Sequence, residues 1–340
     1  MEKVKLFATS GDHLLTNRIL TILGKKGMEV HQLHVPTFKS KEQCPEAKTS
    51  VDGIHCVLIW APVDTPDVEC MRLFLSLDAL KRAGAEKITI FVPYYFYARQ
   101  DQTNNKRQAV SAAFIAEVCN MYEASVITVH IHNKAIQGYF KKRFHSIGTK
   151  KIFLKAAEKY FSRVWSEYDR EKLTLVAVDN GASKELRSFA KEMNIPLIVG
   201  DKYRANANEV EEIIFSAPVH QDRFYLGIDD LTDTGGTLAK ASEALVELGA
   251  DQNKIVMAVT SPVFSGDAHV VLQNAPCAKF FTTDTLNIPE GKNFDKLEIV
   301  SISKMISTII IKYLNGESIR DEDMKDEVVE LEVEEKTNNN

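Results

Sequence analysis

The feature that most constrains this chain is a rhythm. Short runs rich in β-branched and aromatic residues alternate with longer helical patterns from one end to the other. In the first half the strand candidates are "VKLFAT", "EVHQLHV", "HCVLIWA", "KITIFVPYY" and "SVITVHIH", with helical spacing over residues 14–26, 68–83 and 110–122. The second half repeats the scheme with "LTLVAVD", "PLIVGD", "FYLGIDD", "KIVMAVTS" and "KFFTTD", and with helical spacing over 184–192 and 237–248. Such alternation predicts α/β architecture: doubly wound, mainly parallel sheets covered by helices. Two comparable halves predict two domains, residues 1–150 and 151–318, divided near "HSIGTKKIFLKAAEKYF".

Composition narrows the class. With 44% hydrophobic and 26% charged residues among 340, the chain can bury a sizeable core. No apolar run approaches the roughly 20 residues of a membrane-spanning helix, and "MEKVKLFATSGDH" lacks a secretory apolar segment, so the cytosol is the expected compartment. Five scattered cysteines without a CxxC pair suggest buried or free thiols, with neither a disulfide framework nor a thiolate metal site. Residues 321–340 hold nine acids and two lysines, so this tail carries −7 and the other 320 residues +2. A flexible acidic extension is expected over 319–340, and no nucleic-acid partner is implied.

In open α/β sheets, ligands sit outside the carboxyl ends of strands. One such junction reads "FYLGIDDLTDTGGTL", which predicts a strand over 224–228, a loop over 229–236 and a helix from about Thr237. Glycines let backbone amides approach an oxyanion, and a helix N-terminus adds a positive end, together making a phosphate cradle. Carboxylates repel phosphate. Asp229 and Asp230 are therefore expected to accept hydrogen bonds from sugar hydroxyls, directly or through a divalent cation. A ribose carrying a 5-phosphate satisfies both halves of the motif, with Asp233, Thr234, Gly235, Gly236 and Thr237 around the phosphate. An acidic cap on a glycine turn is the plainer alternative.

The ten residues from Asp229 to Leu238 resemble the phosphoribosyl-diphosphate loop of phosphoribosyltransferases and ribose-phosphate diphosphokinases. Upstream, "LDALKRAGAEKITIFVPYYFYARQDQTNNKRQAVSAAFIAEV" looks like a segment of the diphosphokinases that ordinary transferases lack. The resemblance covers residues 4–310. It implies two phosphoribosyltransferase-like domains, Mg²⁺, ATP as co-substrate and a homo-oligomer, either a dimer or a hexamer. By it Arg99 and Gln100 contact ATP with Asp101 beside them, and Lys106 and Arg107 open a catalytic loop. A fork-shaped cation near a strand end also suits polyphosphate on general grounds. In "DKYR", Lys202 and Arg204 fall on a catalytic Lys-x-Arg pair, and Asp179 in "AVDNGAS" falls on an aspartate suited to Mg²⁺. His132 in "VHIHNKAIQGYF" falls on a histidine associated with metal and ATP, and in "FKSKE" Phe38 and Glu42 fall on residues that hold adenine across a subunit interface.

The family moves the diphosphoryl group of ATP onto the anomeric hydroxyl of ribose 5-phosphate. In-line positioning and charge neutralisation carry such a transfer. The chain departs from the family pattern at His130, where an acid is usual, at Tyr203 and Gln102, where basic residues are usual, and in "AVDNGAS". These departures leave room for a larger acceptor such as ADP-ribose. A catalytically inactive regulatory subunit is a further alternative, disfavoured by Lys202 and Arg204. His130 and His132, read on one face of a strand, could bind a transition metal, although packed or hydrogen-bonded histidines are commoner there.

Overall fold

The computed structural model describes residues 3–9, 12–63, 65–103, 107–203, 212–320 and 332–333. Two compact units divide between Gly148 and Thr149. The first contains β1 (Val4–Ala8), α1 (Leu14–Lys25), β2 (Glu29–Gln32), β3 (His55–Ile59), α2 (Pro66–Arg82), β4 (Lys87–Val92), α3 (Ser111–Met121), β5 (Ser125–Val129) and β6 (Phe144–Ile147). Its six strands lie in the order β2-β1-β3-β4-β5-β6, and every pairing is parallel. β3 and β5 are buried along their whole length, which is why they read as unbroken apolar runs. α2 starts with Pro66 at its first position, carries Asp67 and Glu69 in its first turn and ends on Lys81 and Arg82. Both ends thus complement the helix dipole.

The second unit contains α4 (Lys150–Val164), β7 (Leu173–Ala177), α5 (Asn180–Met193), β8 (Leu197–Tyr203), β9 (Glu212–Phe215), β10 (Phe224–Thr232), α6 (Gly236–Glu247), β11 (Ile255–Pro262), α7 (Ala268–Asn274), β12 (Lys279–Thr283) and β13 (Leu297–Ser301). A last helix, α8 (Ser303–Leu314), and a two-residue strand, β14 (Glu332–Val333), follow. The sheet order is β14-β13-β12-β11-β10-β7-β8-β9, with only the outer pairs β8-β9 and β13-β14 antiparallel. The connection leaves β7 towards β8 on one side and β10 towards β11 on the other. The topological switch therefore lies between β7 and β10, where a doubly wound sheet opens a crevice.

Two segments follow contacts and not chain order. Residues 285–287 and the segment that opens at Ile302 pack with the first unit, where α8 lies against α1. Asn287 Oδ1 accepts the Leu14 amide at 3.1 Å, and its Nδ2 donates to the Asp12 carbonyl at 2.9 Å, capping α1. Tyr313 Oη lies 3.3 Å from Thr89 Oγ1, which also bonds His55 Nε2 at 2.9 Å. Within residues 319–340, Ile319 is buried and Glu332–Val333 pair antiparallel with β13, so both lie in regular surroundings despite the acidic composition.

Two local readings need correction. β5 ends at Val129, and His130 has φ +41, so His130 and His132 sit in the loop beyond the strand and do not alternate along one of its faces. β10 runs on to Thr232, so Asp229 and Asp230 belong to the strand, held there by β11 pairing at Asp229↔Val259 and Leu231↔Ser261. All five cysteines are free thiols, with Cys44 exposed and the other four buried. Among the described residues no helix is long and apolar enough to cross a membrane.

Candidate active site

In the second unit the polar residues gather at the carboxyl edge of the sheet. Beyond β10 the chain makes a tight turn. Gly235 adopts φ +82 and caps α6, and Gly236 is the first residue of that helix. A Cβ on Gly235 would stand 2.9 Å from Leu272 Cγ, so both the backbone conformation and the packing exclude a side chain there. The first hydrogen bond of α6 runs from the Ala239 amide to the Gly235 carbonyl at 3.1 Å, and the amides before it lie outside the intrahelical ladder. Ser265 donates its amide to the Asp233 carbonyl at 2.8 Å and Val263 to that of Thr232 at 3.0 Å, which pins the loop to the segment after β11. The result is a rigid helix N-terminus suited to an anion, an interaction typically worth about 0.3–1 kcal/mol when exposed.

Three carboxylates flank this cradle. Parallel pairing sets Ile228 beside Ala177, so two residues further on Asp230 and Asp179 leave the switch point together. Asp229 Oδ1 accepts the Asp230 amide at 3.0 Å. Burial pushes the Asp229 carboxyl well above the usual carboxylate range, and the charges of Asp230 and Asp179 push it further. Mutually repelling acids beside an anion cradle are relieved by sugar hydroxyls or by a cation. Lys202 lies in β8, paired with Ile213, at the same edge of the sheet. Arg204 lies outside the described residues.

In the first unit the expected ATP-side residues occupy loops after β4 and β5. Arg99 and Gln100 are exposed at the end of a turn in which Tyr97 is forced to φ +60. The Tyr97 hydroxyl donates to Asp67 on α2, Gln100 donates its amide to the Tyr97 carbonyl at 2.8 Å, and Gln100 Oε1 accepts from Ser111 Oγ at 2.7 Å. Asp101 meets the β5 loop through Asn133 Nδ2 at 2.5 Å and through Tyr139 Oη, which donates to its carbonyl at 2.6 Å. His132 is exposed immediately before Asn133, so this contact brings Asp101 next to the His132 segment. Arg107 is exposed, and Lys106 lies outside the described residues. Phe38, 55% exposed, and Glu42 close a narrow hairpin, with the Phe38 amide donating to the Glu42 carbonyl at 2.8 Å.

Tyr97, Ser111, Asn133 and Tyr139 lie within the resembling segments, but the resemblance assigns them no role. Their part in shaping the loops shows only in the contacts. Among the described residues no three His, Cys, Asp or Glu side chains converge on one metal position. Asp179, Asp229 and Asp230 beside the cradle offer carboxylate oxygens of the kind Mg²⁺ takes together with substrate phosphates.

The parallel sheets, the switch point and the glycine-capped loop define an α/β protein built from two phosphoribosyltransferase-like domains. Residues 4–122 match the N-terminal domain of ribose phosphate pyrophosphokinase, and residues 144–268 match the phosphoribosyl transferase domain. A ribose-phosphate pyrophosphokinase from Caldanaerobacter subterraneus subsp. tengcongensis is 32% identical over 93% of this chain and 96% of its own. Ribose-phosphate pyrophosphokinase 1 of Streptococcus mutans is 31% identical over 91% of this chain and 93% of its own. The crystal structure of phosphoribosylpyrophosphate synthetase from Mycobacterium smegmatis superposes with a TM-score of 0.81 at 25% identity, covering 93% of this chain and 100% of that one. The chain belongs to the ribose-phosphate pyrophosphokinase family, the diphosphokinases of the sequence resemblance.

Proposed function

We infer that the chain transfers the β,γ-diphosphoryl group of ATP to the anomeric hydroxyl of ribose 5-phosphate, giving phosphoribosyl diphosphate and AMP. One observation carries this reading. The glycine-capped loop beside Asp179, Asp229 and Asp230 occurs in a chain matched nearly end to end by ribose-phosphate pyrophosphokinases. In the reaction the anomeric oxygen attacks the β-phosphorus and loses its proton. The bond from the β-phosphorus to the α,β-bridging oxygen breaks, and AMP leaves with that oxygen.

Each half of the reaction has its residues. The amides and hydroxyls from Asp233 to Thr237 bind the 5-phosphate, and Asp229 and Asp230 accept from the ribose hydroxyls. Arg99, Gln100, Asp101 and His132 bind ATP. Lys202, Arg204, Lys106 and Arg107 neutralise charge on the transferred group and on the departing AMP oxygen. A single preorganised donor of this kind typically contributes about 10²–10³ in rate. Mg²⁺ bound with ATP would add neutralisation of phosphate oxygens, and Asp179 and His132 are the residues assigned to hold it. Phe38 and Glu42 serve the adenine of a neighbouring subunit in a homo-oligomer, a dimer or hexamer, working in the cytosol.

The test incubates the protein with Mg²⁺-ATP and either ribose 5-phosphate or ADP-ribose, then separates the products by chromatography with mass detection. AMP and phosphoribosyl diphosphate from ribose 5-phosphate are the expected result. Diphosphorylation of ADP-ribose alone would move the assignment to the larger acceptor, and no AMP with either would move it to a regulatory subunit.

A further inference from the structure

We propose that Asn133 and Tyr139 are positioning residues that hold the Arg99–Gln100–Asp101 loop in the geometry that receives ATP. The proposal rests on the ATP-side assignment above and concerns two residues to which the resemblance assigned no role.

The loop is held by a closed ring of contacts built around one rigid helix. At its N-terminus, α3 presents Ser111, whose Oγ donates to Gln100 Oε1 at 2.7 Å, and the Ala112 amide donates to the Gln100 carbonyl at 3.2 Å. Near its C-terminus, α3 presents Asn120. Its Nδ2 donates to the Tyr139 carbonyl at 2.8 Å, and its Oδ1 accepts the Lys141 amide at 2.8 Å. Tyr139 closes the ring by donating its hydroxyl to the Asp101 carbonyl at 2.6 Å. Asn133 works from the other end of the same short 3-10 turn, Lys134–Tyr139. Its Oδ1 caps the turn by accepting the Ala135 amide at 2.9 Å, and its Nδ2 donates to Asp101 Oδ2 at 2.5 Å.

Two features show that the loop is held against its own preference. Tyr97 has φ +60 and His130 φ +41, conformations that non-glycine residues keep only when their surroundings enforce them. Each sits at the root of one of the two loops that Asn133 and Tyr139 tie together. A loop that must present a guanidinium to a polyphosphate gains from being ordered before the nucleotide arrives, because the ordering cost then does not fall on binding.

The experiment compares the native protein with Asn133→Ser, a capping residue too short to reach Asp101 and without added charge, and with Tyr139→Phe, which keeps the ring and loses the hydroxyl. Three readouts are taken: thermal unfolding, Kd for a non-hydrolysable ATP analogue with KM for ATP and for ribose 5-phosphate, and amide exchange of the peptide containing Gln100. For either variant the Kd and KM for ATP are expected to rise about three- to tenfold, as loss of a hydrogen bond at a partly exposed site would give. The KM for ribose 5-phosphate and the unfolding midpoint should hold, and the Gln100 peptide should exchange faster without substrate. Unchanged exchange and unchanged ATP affinity would overturn the proposal. So would a parallel loss of ATP and ribose 5-phosphate affinity together with a lower midpoint, the mark of a general structural role. If the native protein forms no AMP, the functional reading fails, while the exchange rates still decide whether these two residues order the loop.

Discussion

Gly235 and Leu272 are so close that a methyl group on the glycine would reach to 2.9 Å from Leu272 Cγ. α7 thus forms the wall against which the turn before α6 is moulded.

For Gly235→Ala the left-handed backbone and the contact act together. The strain of an L side chain at φ +82 costs about 1–2 kcal/mol, before any displacement of α7. The expected outcome is a large rise in KM for ribose 5-phosphate and a smaller change in KM for ATP, measured by steady-state kinetics. Equal changes in both would count against a phosphate role for the loop.

Asp229→Asn removes one of three crowded carboxylates. Because the folded carboxyl holds its proton to higher pH than an unfolded one, the native state is penalised as pH rises above the ordinary carboxylate range. The substitution should therefore raise the unfolding midpoint at pH 7.5 while strongly lowering activity. Calorimetry at pH 5 and 7.5 checks the sign, since the gain over the native protein should be greater at the higher pH.

His13 is fully buried at the start of α1, and burial lowers its pKa from 6.5 to about 4. Between those two values the unfolded chain binds more proton than the folded one. Stability on this account is flat above pH 6.5 and falls as pH drops towards 4, by about 1.4 kcal/mol per unit and on the order of 3 in all. Urea denaturation across this range should show a shallower acid loss for His13→Leu, each protein being referenced to its own value at pH 7. Identical slopes would contradict the assignment.

Thr89 joins β3, β4 and α8 through one hydroxyl, which bonds both His55 and Tyr313. Thr89→Val keeps the volume and removes that hydroxyl, an expected loss of about 1–3 kcal/mol in denaturant titrations. A change below about 0.5 kcal/mol, the usual range for a neutral surface substitution, would show that α8 is held by apolar packing alone.

Legibility in the sequence followed the physics of each element. Buried parallel strands such as β3, β4 and β7 declare themselves as apolar runs, and amphipathic helices such as α1 and α6 were placed to within a residue or so at each end. The short strands β6, β9 and β14 and the inner strand β13 did not, although the equally short edge strand β2 did. β6 and β9 have four residues each, and β14 is held by pairing with β13, a contact remote in sequence. The glycine turn before α6 was legible because glycine at positive φ is a local requirement. The strand boundary at Asp229 was misplaced because pairing with β11 overrides the low strand propensity of aspartate. The affiliation of α8 with the first unit and the ring through Asn133 and Tyr139 depend on contacts between distant segments, which periodicity does not encode.

The most direct test of the central claim follows one oxygen. The protein would be given Mg²⁺, ribose 5-phosphate and ATP labelled with heavy oxygen in the β,γ bridge, and the products weighed by mass spectrometry. Transfer of the diphosphoryl group as a unit predicts that the label appears wholly in phosphoribosyl diphosphate and that the other product is unlabelled AMP. Formation of ADP with ribose 1,5-bisphosphate, or no nucleotide product at all, would contradict the account.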